Sequence, residues 1–149
     1  MNIILTQEDQ RDLHYEVECI LRMFLPQVQP RFLQAEDEPS PERVEIRTGA
    51  GEGAENRVSL TLPGFAGEER EPAGRDRRDT EASVCRMLYR LLTRATGRRI
   101  EWGVLTGIRP VKLVRELREQ GVSYQEIAGR FTGRYLTTPQ KAALCIRTD

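Results

Sequence analysis

Two short stretches that alternate apolar with polar residues lie between segments of helical spacing, and this change of period limits the fold more than any other feature. Val44 and Ile46 alternate with Arg43, Glu45 and Arg47, and Val58, Leu60 and Leu62 repeat the pattern. A period of two places one set of side chains on a single face of a strand. Between the stretches, Thr48-Gly-Ala-Gly-Glu-Gly has the glycine content of a hairpin loop, and Pro63-Gly64 ends the second strand. The three glycines do not form a phosphate loop, because no Lys-Ser/Thr pair follows them and no helix begins there.

The flanking segments are helical in pattern. After a short first strand at residues 2–5, residues 7–25 place Leu13, Val17, Ile20, Leu21 and Phe24 on one stripe. Thr6 is the expected N-cap, with Asp9 three residues on, and Pro26 stops the helix. His14 sits beside the stripe with no carboxylate or cysteine at ligand spacing, which makes it a surface or helix-flank histidine. Residues 34–41 form an acidic, proline-broken connector. Residues 67–78 hold no apolar side chain larger than alanine, so residues 64–78 are expected to be a flexible, solvated segment. A second helix, capped by Asp79 or Thr80, carries Val84, Leu88, Leu91 and Ala95 inward and ends at Gly97. Arg86, Arg90 and Arg94 form a ridge off that stripe, expected as a solvated face rather than a basic groove.

This order predicts an α+β fold: a small three-stranded sheet with helices on one face, a split βαβ or ferredoxin-like half, followed by a C-terminal helical extension. The expected division is an α/β subdomain over residues 1–100 and a helical extension over 101–149. Residues 100–105 could add a fourth strand.

Within residues 102–113, W-G-V-L-T-G-I-R-P-V-K-L, the chain changes character. Pro110 suits the first position of a helix, where its missing N–H costs nothing, and it biases Arg109 towards extended backbone. Free amides at such a helix start, with Arg109 and Lys112 beside them, could hold a carboxylate or phosphate. The competing reading has Trp102, Val104, Leu105 and Ile108 packing a core. Trp102, Thr106, Gly107, Arg109 and Lys112 are therefore the candidate residues for binding an anion or another domain. Ser123-Tyr-Gln-Glu126 is a capping box that opens a further helix after Gly121, and Thr138-Pro139 opens the last. Gly121 between two helices resembles helix-turn-helix punctuation, but the six residues from Thr132 to Thr137 exceed the usual turn, and residues 140–146 offer few base-reading side chains.

Composition excludes several classes. The chain has 149 residues, 38% hydrophobic and 31% charged, and lacks any apolar run near the ~20 residues of a membrane span. No basic segment, apolar segment and cleavage site open the chain, so a cytoplasmic protein with no membrane partner is expected. Cys19, Cys85 and Cys145 are far apart, and His14 is the sole histidine, which argues against a metal site or a disulfide framework. The zero net charge conceals a polarity: residues 1–85 carry 10 basic and 18 acidic side chains, net −8, and the remainder 13 and 5, net +8. A basic C-terminal half keeps a nucleic-acid-binding module as the alternative, and a plain protein-interaction domain as a third reading.

The 102–113 block, followed by S-Y-Q-E-I and then R-Y-L-T-T-P-Q-K, resembles the N-terminal region of HemZ-type proteins. These are relatives of oxygen-independent coproporphyrinogen III oxidase, identified as radical-SAM coproporphyrinogen dehydrogenases. The resemblance covers the whole chain in element order, with the 102–113 block its specific part. It implies a non-catalytic accessory N-terminal domain of an oxidoreductase of porphyrin (haem) biosynthesis, which converts coproporphyrinogen III to protoporphyrinogen IX. A [4Fe–4S] cluster and S-adenosylmethionine are implied for a C-terminal barrel, not for these residues. The family's C-x-x-x-C-x-x-C triplet is absent here, and the chain ends at Asp149 before such a barrel would begin. No cluster-binding or catalytic residue carries over. The implied partners are that radical-SAM domain and the tetracarboxylate porphyrinogen, which Arg109 and Lys112 match in charge.

Overall fold

The computed structural model describes residues 2–5, 13–33, 40–105 and 109–149. The chain divides into two compact units, Met1–Arg98 and Arg99–Asp149. The first is α+β and the second is helical, as expected.

In the first unit, β1 (Asn2–Leu5), α1 (His14–Phe24), β2 (Arg31–Leu33), β3 (Arg43–Arg47), β4 (Glu55–Leu62), β5 (Phe65–Pro72) and α2 (Arg77–Thr96) follow in order. The sheet runs β2-β1-β3-β4-β5. β1 is parallel to both its neighbours, while β3, β4 and β5 form an antiparallel meander. Alternation along β3 and β4 turns Val44, Ile46, Val58 and Leu60 to the covered face, where each is fully buried. α1 contributes Leu13, Val17, Ile20, Leu21 and Phe24 to the same core, and α2 contributes Val84, Met87, Leu88, Leu91 and Leu92. Each such side chain is worth about 1.5–3 kcal/mol in removed apolar surface. Phe24 meets Tyr89 edge to face at 5.3 Å, tying the end of α1 to the middle of α2. The opposite face of β3–β5 is solvated, with Arg57, Arg70, Glu55 and Glu68 interleaved as ion pairs.

Two strands join the three expected. β2 has only three residues and no alternation long enough to read. β5 occupies part of the stretch expected to be a flexible segment: its side chains are charged on both faces, so it carries no apolar signal, and backbone pairing to β4 makes it a strand. The strand considered for residues 100–105 is a turn, closed by hydrogen bonds from Gly103 N to Ile100 O and from Leu105 N to Trp102 O. α2 begins earlier than expected: Asp76, in extended backbone, accepts from Asp79 N at 2.9 Å and is the N-cap. Gly97 ends it in the left-handed region at φ 69°. The Arg86–Arg90–Arg94 ridge is paired rather than an open groove, and it is solvated towards Arg94. Arg86 and Arg90 grip Glu71 at 2.7 and 2.9 Å, and Arg94 lies 3.5 Å from Glu69. The expected cap Thr6 with Asp9 and most of the acidic connector lie outside the described residues. His14 is the first residue of α1 and stacks on Phe32 with centroids 4.0 Å apart.

The second unit contains α3 (Pro110–Glu119), α4 (Tyr124–Gly133) and α5 (Pro139–Thr148). Pro110 takes the first helical position behind an extended Arg109. The capping box at Ser123 and Glu126 forms in both directions, and Thr138 caps α5 through Lys141 N. Val114, Leu117, Ile127, Phe131, Ala142 and Cys145 make a small core of their own.

Candidate functional site

The candidate residues separate into two places. Trp102 belongs to the core of the helical unit, packed as a half-buried ring against the cluster around Phe131 and Val114. Lys141 Nζ lies 5.0 Å from its ring centre and 3.7 Å from Glu101, a cation over the negative face of the indole. The turn that carries Trp102 docks on the segment between α4 and α5. Val104 N donates to Tyr135 O at 2.8 Å, and Thr138 N donates to Glu101 O at 2.9 Å. Gly103, at φ 57°, makes this docking possible, since a Cβ there would stand 2.0 Å from Tyr135 O and 2.4 Å from Leu136 C. Leu136 itself takes a left-handed conformation at φ 57°, a strained backbone for a leucine that the docked turn holds in place.

Arg109 and Lys112 lie elsewhere, on the outer face of α3. With Val111, Arg115, Glu116 and Glu119 they line an open depression of about 480 Å³. The spacing explains the grouping, because positions three to four apart on a helix share a face. Lys112 lies 3.6 Å from Glu116, with both side chains exposed. Arg115 reaches Asp149 at 3.4 Å, and Arg118 reaches the same carboxylate at 2.5 Å. The hydrogen bond from Arg118, reinforced by Arg115, holds the Asp149 carboxyl below its ordinary range. The exposed Lys112–Glu116 pair contributes little to stability, so Lys112 can exchange partners. Thr106 and Gly107 lie outside the described residues. Arg115, Glu116 and Glu119 were absent from the sequence-based set, although their spacing from Lys112 could have brought them in.

Chemically, the depression offers three cations and two carboxylates. Its lining is suited to binding charge. The thiols are unsuited to chemistry where they are buried: burial first, then the carboxylates of Glu81 and Glu16, push the Cys85 thiol up to about 12. Among the described residues no group of three or more His, Cys, Asp and Glu side chains converges as a metal site would, and no helix is long and apolar enough to cross a membrane. Comparison with protein-family models, with curated proteins and with solved structures finds no match.

Proposed function

We propose that the chain is a non-catalytic accessory domain of a cytoplasmic radical-SAM oxidoreductase of the HemZ type, a coproporphyrinogen dehydrogenase of haem biosynthesis. One observation carries this reading. The opening residues W-G-V-L of the 102–113 block and the segment R-Y-L-T-T-P-Q-K, both of which bear the resemblance, meet in a single joint through Gly103, Tyr135, Thr138 and Lys141. The likeness therefore rests on one folded unit and not on scattered matches. In this reading the cluster and S-adenosylmethionine belong to the C-terminal barrel, and these residues dock on it or shape access to it. The outer face of α3 supplies Arg109, Lys112 and Arg115, a charge match for the carboxylates of a porphyrinogen.

Two tests decide it. The gene beyond Asp149 should encode a C-x-x-x-C-x-x-C triplet within a few dozen residues, and its absence would remove the parentage. In the full-length protein, R109A/K112A should weaken porphyrinogen binding and raise KM. Unchanged binding and turnover would end the substrate role for α3 and leave only docking. The alternative, nucleic-acid binding by the same face, is opposed by Glu116 and Glu119 within it. It would require duplex affinity that falls with salt by a log–log slope of about −0.9 per neutralised phosphate.

A further inference from the structure

β5 is attached unlike any other strand of the antiparallel meander. It is the last strand of the sheet, paired only with β4. Its inward positions are Phe65, Gly67, Glu69 and Glu71, all half-buried. Among the described residues, the buried apolar core draws on β3, β4, α1 and α2, and on no residue of β5. Charge takes the place of apolar burial. Two carboxylates two residues apart on a strand are spaced about 6.8 Å, and arginines one turn apart on a helix about 6 Å. The near match lets each carboxylate sit between two guanidiniums. Glu71 accepts from Arg86 at 2.7 Å and from Arg90 at 2.9 Å, while Glu69 lies 3.7 Å from Arg90 and 3.5 Å from Arg94. The zipper loosens along its length: Arg86 is 18% exposed, Arg90 39% and Arg94 52%. Gly67 allows the close approach, with Leu91 3.0 Å from where its Cβ would be.

We propose that β5 is an ionic strap, an edge strand that releases as a unit when the Glu69–Glu71 zipper is screened or protonated, while the rest of the sheet and both helices stay folded. Release frees the outer edge of β4 and the arginine row of α2 together. Local opening of this kind selects segments with few buried apolar contacts, and β5 meets that condition. Facing the two glutamates are Arg86, Arg90 and Arg94 from α2, with the Ser83 hydroxyl beside Glu71, and Asn56 and Val58 across the ladder from β4. No second carboxylate from β4 faces them to blunt the response.

Hydrogen exchange on the intact chain tests the strap. Raising NaCl from about 0.05 to 1 M should speed exchange of the protected amides in Phe65–Pro72 by roughly tenfold, with less than about a twofold change in Arg43–Arg47. Equal exchange in β3 and β5, or an equal salt response in both, would overturn the proposal. E69Q/E71Q should reach the high-salt exchange rate already at low salt and lose the salt dependence; retained salt dependence would sink the assignment to this zipper. E68Q, which removes ion pairs on the opposite face, should leave the salt response intact. If the double variant does not fold, the wild-type salt series decides alone.

Discussion

Replacing Gly103 with alanine should be the most damaging single-methyl change in the helical unit. Three terms set its size. A left-handed φ costs an L-residue about 1–2 kcal/mol. The new Cβ would stand 2.0 Å from Tyr135 O and 2.4 Å from Leu136 C, and both neighbours are backbone atoms with no rotamer to yield. Relieving the overlap means separating the turn from the segment after α4, which breaks the hydrogen bonds from Val104 N to Tyr135 O and from Thr138 N to Glu101 O. Each is worth about 1 kcal/mol net, and more if its groups stay buried. Together these give a loss on the order of 4 kcal/mol. Two internal comparisons separate the terms. Gly121 also has positive φ, 81°, but nothing lies within 4 Å of its added Cβ, so G121A should cost only about 1–2 kcal/mol. Gly129 lies inside α4 with open space around it, so G129A should stabilise by about 0.5–1 kcal/mol. Trp102 is the sole tryptophan and belongs to this unit, so its fluorescence in urea reports the unit's own unfolding. If G103A costs no more than G121A, the docking of residues 101–104 on 135–138 is wrong.

Two further outcomes follow from the first unit. Cys85 should resist a thiol reagent at pH 8 in the native chain while half-buried Cys19 reacts, because burial and nearby carboxylates hold the Cys85 thiol near 12; equal labelling rates would contradict the packing of α1 on α2. Glu71 is raised by burial, but hydrogen bonds from Arg86, Ser83 and Arg90 and the charge of Arg86 outweigh that and hold it below the ordinary carboxylate range. Its stabilisation is therefore present above the unfolded value of about 4.3 and lost as pH falls through the lower folded one. E71Q should cost about 1–3 kcal/mol at pH 7, a deficit that closes in acid denaturation profiles below about pH 4; a pH-independent deficit would contradict an ionised Glu71.

Sequence reading located elements where local chemistry is sufficient. Alternation found β3 and the apolar part of β4, Pro110 and Ser123 marked helix starts, and Gly97 and Gly121 marked ends, since each signal depends only on nearby residues. It failed where a partner distant in sequence decides. β5 has no apolar pattern because its inward glutamates answer arginines on α2, and neither row alone announces the other. Asp76, and not the expected Asp79 or Thr80, caps α2, because Asp76 and Asp79 are both acceptors and only the backbone decides which accepts from the other's amide. The candidate site was half legible. Helical spacing implied that Arg109 and Lys112 share a face, but nothing in residues 102–105 indicated that Tyr135 and Leu136 would close over Gly103.

That closure changes what the 102–113 block can be asked to do. As one continuous motif it suggested a single site in which an aromatic ring, a glycine turn and two cations act together. The geometry divides it into a structural half and a charged half. Trp102 and Gly103 are committed to the joint, with the half-buried ring beneath Lys141 and the glycine pressed against backbone. Lys112 is committed to nothing of comparable strength, because its pairing with Glu116 is exposed and worth little, and Arg109 lines the same depression. Substitutions at the two halves should therefore differ in kind: those at Gly103 should act through stability of the helical unit, and those at Arg109 and Lys112 through affinity for whatever anionic surface or ligand faces α3, with the folded fraction unchanged.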